Sequence, residues 1–179
     1  MAIMNEMKIL ENNSDCKNYD SIAEDYVLNL LKIHGHNFVM KANSIVNPDW
    51  DLVEFVKPST KDHVDCYYPH YYQVKGHDWK SKSHVINADF DKLVADKIVE
   101  YLFIVIFNKV AEPEVYRFKI SEDLKEKQPN TKNVFDEDGH IVYSMNNEKR
   151  KDKKRTISLD CFYNEKNKKY RNNYFNKWD

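Results

Sequence analysis

Two periodicities of apolar residues run along this chain, and the switches between them mark its elements. Across residues 19–35, YDSIAEDYVLNLLKIHG, the residues Ala23, Val27, Leu30 and Leu31 fall on one stripe at helical spacing, and Gly35 can end the run. The stretches 36–42 (HNFVMKA), 49–57 (DWDLVEFVK) and 67–75 (YYPHYYQVK) read as strands, alternating with a period of two, and their joining loops suggest an antiparallel meander. Residues 87–100 return to helical spacing through Phe90, Leu93, Val94 and Ile98. The run YLFIVIFN (101–108) is too apolar for a half-exposed strand and too short for a membrane span, so it is expected in the middle of a sheet. Beyond it come a strand at 114–120, a short helical stretch, a hairpin turning at Asp138-Gly139, a strand end near 155–163 and a helical C-terminus. The expected fold class is α/β, an α-β-β-β-α-β core whose mixed central sheet is flanked by helices, followed by a C-terminal α+β extension. A chain of 179 residues suits a single domain, 1–179, with its core at 19–108 and its extension at 109–179.

The third strand raises a chemical question. By alternation Tyr71, Gln73 and Lys75 point one way and Tyr72 and Val74 the other. An amide and an ammonium side by side on one face suit a half-solvated edge strand guarded by its lysine. They also suit an active site.

With Asp51 heading the second strand, this order of elements and the QVK triplet (73–75) resemble the PD-(D/E)XK nuclease superfamily, which includes many restriction endonucleases, junction resolvases and repair nucleases. The resemblance covers residues 19–108 and implies a restriction-endonuclease-like fold. The matching residues are Asp51, Gln73 and Lys75, with Glu24 on the first helix as a further acid. Six acid-or-Gln, any residue, Lys triplets occur in the chain, but only QVK lies inside a strand-like run that follows another strand headed by Asp. DWK (78–80) comes after Gly76 and is expected beyond the strand end.

The implied activity is Mg²⁺-dependent hydrolysis of DNA phosphodiester bonds, with Mn²⁺ as a substitute and a restriction or defence role in view. Mg²⁺ takes oxygen ligands, usually one or two carboxylates with water and phosphate oxygens. Asp51, the Gln73 side-chain oxygen and the Val74 carbonyl are the expected metal donors, while Lys75 orients or deprotonates the attacking water or stabilises phosphate charge. Gln73 stands where the family usually has an acid, and the literal Pro-Asp pair is Pro48-Asp49. Asp51 is preferred to Asp49 because it opens the apolar LVEFV run. Glu24 has a second account, since Ser21 to Glu24 fits a capping box. The competing function is a nuclease-fold module that no longer cuts and binds nucleic acid or a protein.

Charge adds a candidate surface. The net charge of −1 hides a tail, 147–179, at +6 and a remainder at −7. Lys149, Arg150, Lys151, Lys153, Lys154 and Arg155 form its densest cluster, a candidate grip on the phosphates of DNA, expected double-stranded. Interleaved Phe162, Tyr163, Tyr170, Tyr174, Phe175 and Trp178 argue that this tail folds against the body. The loop at 57–70 is a candidate to enter a groove, and cutting two strands from so small a body favours a homodimer.

Composition closes off other classes. Three glycines cannot build a Gly-rich phosphate loop, and no nucleophile elbow occurs. His63, Cys66 and His70 match no common zinc spacing and no CxxC exists. Three scattered cysteines, no secretory leader pattern and no apolar run of spanning length lead to an expected cytoplasmic protein without a membrane segment.

Overall fold

The computed structural model describes residues 19–36, 38–42, 50–57, 67–81, 84–88, 90–108, 111–126, 134–145 and 155–178. Helix α1 spans Tyr19–Ile33, and strands β1 (Val39–Lys41), β2 (Leu52–Val56) and β3 (Tyr68–Asp78) follow. Strand β4 (Val85–Ala88), helix α2 (Phe90–Asp96), β5 (Val99–Phe107) and β6 (Glu114–Lys119) complete the first two thirds. The remainder holds α3 (Ile120–Asp123), β7 (Leu124–Glu126), β8 (Ile141–Met145), β9 (Arg155–Ser158), α4 (Leu159–Phe162), a 3₁₀ turn at Glu165–Asn167 and α5 (Lys168–Arg171). The fold is mixed α/β.

The central sheet has five strands in the order β1-β2-β3-β5-β6. The pairs β1/β2 and β2/β3 are antiparallel, β3/β5 is parallel, and β5/β6 is antiparallel. A parallel pair needs a crossover, which β4 and α2 provide between β3 and β5. β5 is buried on both faces, as its unbroken apolar run requires. Leu102, Ile104 and Ile106 enter one core, while Phe103, Val105 and Phe107 enter a second core against Ala23, Val27 and Leu31 of α1. Fully burying side chains of this size stabilises by roughly 1.5–3 kcal/mol each, so α1 is held mainly by its stripe.

Several sequence expectations are corrected. The helix expected over 87–100 is the seven-residue α2, because residues 85–88 pair with β9 in a second sheet of order β4-β9-β8-β7. That sheet covers the first core, so the expected boundary at 108/109 cuts across both sheets: β4 joins the extension's sheet and β6 joins the central one. β3 runs through Gly76 to Asp78, further than the apolar pattern suggested. The turn at Asp138-Gly139 is present: Phe135 bridges Ile141, and Gly139 takes a positive φ of 89°.

The aromatic tail packs as expected. Phe162, Tyr174 and Trp178 are buried. Trp178 stacks on His34 at 5.0 Å between ring centres, and its carbonyl meets His36 Nε2 at 2.9 Å. The chain's far end is therefore fastened to the C-terminal end of α1. No helix among the described residues is long and apolar enough to cross a membrane.

Candidate active site

The site forms where β2 begins and β3 runs on past it. Leu52 is the first residue of β2 and pairs with Tyr72, so among the described residues no strand pairs with the β2-facing edge of β3 beyond that point. Backbone groups cannot be left unpaired in a half-buried notch, and two carboxylates take the open amides. Asp51 Oδ2 accepts the Val74 N–H at 2.7 Å, and Asp20 Oδ1 accepts the Gly76 N–H at 2.8 Å. The Gln73 side-chain amide also donates to Asp51 Oδ2. In a strand the N–H and C=O of one residue point the same way, so the Val74 carbonyl shares this side with Asp51.

Gly76 brings the helix in. A Cβ there would lie 2.0 Å from the Tyr19 carbonyl oxygen, so only glycine admits α1 this close to β3. That approach carries Asp20 and, one turn on, Glu24 to the notch. Lys75 Nζ stands 3.6 Å from Asp20 Oδ2. Glu24 Oε2 meets Lys41 Nζ at 3.0 Å, and Asp25 Oδ1 meets the same ammonium at 2.9 Å. Burial would pull Lys41 down, but Asp25 and Glu24 outweigh it and raise its pKa.

Electrostatics converge on Asp51. Burial pushes its carboxyl above the ordinary range, Val74 and Lys75 oppose this, and the charges of Glu24 and Asp20 add to the rise. A carboxylate held up by burial and by two like charges is one that a cation would relieve. The donors on offer, carboxylates and a main-chain carbonyl, are hard oxygens suited to Mg²⁺. Among the described residues the three acids do not close into a set with ligand atoms within 4.8 Å.

The four sequence-derived site residues are linked to different degrees. Asp51 and Gln73 touch, and Lys75 and Glu24 both act on Asp51 through their charge. β3 is the third of five strands, but Lys75 lies in the part of it beyond Tyr72, where no described strand pairs with its β2-facing side, so the reading of Lys75 as guard of a local edge stands beside the site reading. One alternative falls. α1 already begins at Tyr19, leaving Ser21 inside the helix, and the capping-box account of Glu24 does not apply. Asp20 and Lys41 were missed as site residues. The i, i+4 spacing of Asp20 and Glu24 was the available signal for the first.

Other expectations lie elsewhere. Asp49, His63, Cys66, residues 58–66 of the candidate groove loop, and Lys149, Arg150, Lys151, Lys153 and Lys154 are outside the described residues, while Arg155 opens β9. His70 pairs with Glu100 at 2.5 Å. Asp136, Asp138 and His140 do bring ligand atoms within 4.8 Å of one another. Asp136 Oδ1 accepts the N–H groups of Asp138 and His140, and its Oδ2 meets His140 Nδ1 at 2.9 Å. That trio is accounted for as the hydrogen bonding of the turn at Gly139.

No protein-family model, curated protein or solved structure matches the chain.

Proposed function

We propose that the chain is a metal-dependent DNA endonuclease of the PD-(D/E)XK type, built on a restriction-endonuclease-like core. The observation that carries this reading is the meeting of Asp51 and Gln73 at the mouth of β2, with the Lys75 charge acting on the same carboxylate. The succession helix, three antiparallel strands, crossover and parallel fourth strand supports it.

Bound Mg²⁺, or Mn²⁺ in its place, would neutralise a non-bridging phosphate oxygen and make its water more acidic. Asp51, the Gln73 side-chain oxygen and the Val74 carbonyl would hold the ion, and Glu24 and Asp20 would add negative charge beside it. Lys75, as an ammonium, would orient the attacking water and stabilise charge on the phosphate, while the water's proton passes to a phosphate oxygen or to bulk water. A new bond forms from water oxygen to phosphorus and one bridging P–O bond breaks. The leaving oxygen gains a proton, and no redox change occurs. The basic run at 149–155 supplies non-specific phosphate attraction, and a homodimer would cut both strands of a duplex.

Plasmid nicking with Mg²⁺ or Mn²⁺ tests this, comparing the wild type with Asp51→Ala and Lys75→Ala. Cleavage by the wild type alone is expected, and equal cleavage by all three would sink the assignment. A second reading, an inert nuclease-fold module that binds nucleic acid or a protein, draws on Gln73 and on the use of Asp51 and Asp20 to close strand amides. Its outcome in the same assay is binding without cleavage by any variant.

A further inference from the structure

The face of the central sheet that carries Gln73 and Lys75 continues, away from the notch, into a strip of exposed aromatic and apolar side chains around a buried Val53. Strand parity and register put Met40 beside Val53, and Phe55 beside Pro69, on the Gln73 side. Phe38 stands next to Phe55, whose N–H it accepts at 3.0 Å, and its ring meets Tyr67 edge-on at 5.6 Å. Nearer the notch, the Trp50 and Tyr71 rings meet tilted at 49°, their centres 4.6 Å apart. Among the described residues, the second sheet and α2 pack on the β5–β6 part of this face, against Leu102, Ile104, Ile106, Tyr116 and Phe118. Phe38 is 60%, Met40 54%, Tyr67 46% and Phe55 37% exposed, values far above those of core residues of the same type.

Four exposed large apolar side chains on one short stretch of sheet need an occupant. The chemistry of the strip selects one. Its middle is aromatic, and lysines mark both ends, Lys75 at the notch and Lys57 just past β2 opposite Tyr67. Acids gather at the notch end, where Asp20 lies 3.6 Å from Lys75 and Asp51 heads β2, while the rings and Lys57 lie away from them. Rings flanked by ammonium groups match a strand that offers base faces and phosphates together. A duplex keeps its base faces stacked inside and would present sugar and phosphate to the strip instead. From Gln73 to Pro69 is about 13 Å at strand rise, so a strand whose phosphate lies at Asp51 has its neighbouring nucleotides over the rings.

We propose that this β1–β3 face is a stacking shelf for unpaired nucleotides, so that the DNA strand cut at Asp51 is single-stranded, or locally opened, where it enters the site. The inference rests on the nuclease reading for its direction, but the shelf binds whether or not the site cuts.

The test uses the full chain in EDTA, so that cleavage plays no part. Fluorescence anisotropy is read with a labelled oligo-dT strand and with a labelled duplex of the same length. The wild type is expected to bind the single strand at least about tenfold more tightly than the duplex. The double variant Phe38→Ala/Tyr67→Ala should lose about tenfold or more on the single strand, since each base–ring stack is a substantial part of such binding, and change less than twofold on the duplex. Phe38→Trp should keep single-strand binding. These side chains are exposed, so a matching thermal melt checks that the variants fold. Unchanged single-strand binding in the double variant overturns the proposal, as does tighter binding of duplex by the wild type. A wild-type dimer that the double variant dissociates also overturns it, because the strip would then be a subunit interface. Failure of the nuclease reading looks different: Asp51→Ala would cut as the wild type does, with the anisotropy pattern intact.

Discussion

Asp51 and Val74 are joined by a hydrogen bond in which a side chain takes the place of a strand partner: Oδ2 accepts the main-chain N–H at 2.7 Å, just before β2 begins. The same carboxylate is raised in pKa by burial. For an acid so raised, the folded state favours the protonated form. Its stabilising contribution is full below the unfolded value and is lost as pH climbs through the folded one. At pH 7 without metal, ionised Asp51 is thus a net cost. Asp51→Asn keeps a carbonyl for Val74 and removes the charge. Its melting temperature in EDTA at pH 7 should equal or exceed that of the wild type, by about 2–4 °C per kcal/mol for a chain of this size. The difference should close towards pH 4, while cleavage is lost. A variant several degrees less stable at pH 7 would mean that the carboxylate serves only as a cap.

Lys75 sits 3.6 Å from Asp20 Oδ2, too far for a tight pair and close enough to be aimed by it. If Lys75 acts on water or phosphate and not as a metal ligand, Lys75→Ala should lower single-turnover cleavage by about 10²–10⁴-fold. Mn²⁺ affinity, measured by calorimetry, should change little. Asp20→Asn retains an acceptor for the Gly76 N–H and should cost less, on the order of tenfold in rate. Cleavage by Lys75→Ala at the wild-type rate would return the lysine to the role of a solvated surface charge.

Gly76→Ala probes the approach of α1. The new Cβ would meet the Tyr19 carbonyl oxygen at 2.0 Å and its carbon at 2.5 Å, and main chain cannot swing aside as a side chain can. Overpacking of this kind costs about 1–3 kcal/mol or more. Because Asp20 and Glu24 ride on the displaced helix, the variant should lose both stability and cleavage. A denaturant melt read alongside the nicking rate checks this, and a stable, fully active variant would mean that the helix position does not matter to the site.

The sequence displayed the central sheet better than what lies on it. The stripe through Ala23, Val27 and Leu31 and the doubly buried run of β5 were plain because each buries apolar residues with an unambiguous period. Residues 85–88 were hidden because their pairing partner, β9, is some seventy positions away, and a four-residue strand beside a helix-like stretch inherits its neighbour's pattern. Asp51, Gln73 and Lys75 could be picked out because parity and strand order select them together. Asp20 was harder to pick out: at the start of α1 it reads as a helix cap or a favourable charge on the helix dipole, and its i, i+4 spacing from Glu24 is only a slight hint. Only the tertiary approach at Gly76 turns it towards β3.

Gln73→Glu bears most directly on whether an ion is shared. At present the Gln73 amide donates to Asp51 Oδ2, easing a carboxylate already crowded by Glu24 and Asp20. An ionised carboxylate in its place has no proton to donate and adds a like charge at contact distance. Without metal the substitution should therefore lower the melting temperature and make the pair hold a proton to higher pH. With saturating Mg²⁺ the order should invert: a second carboxylate strengthens a hard-cation site, so the Mg²⁺-induced rise in melting temperature should exceed that of the wild type. Affinity should increase on the order of tenfold. A melting temperature that Mg²⁺ leaves untouched in both proteins would mean that Asp51 and residue 73 share no ion, and the notch would stand as strand-end hydrogen bonding alone.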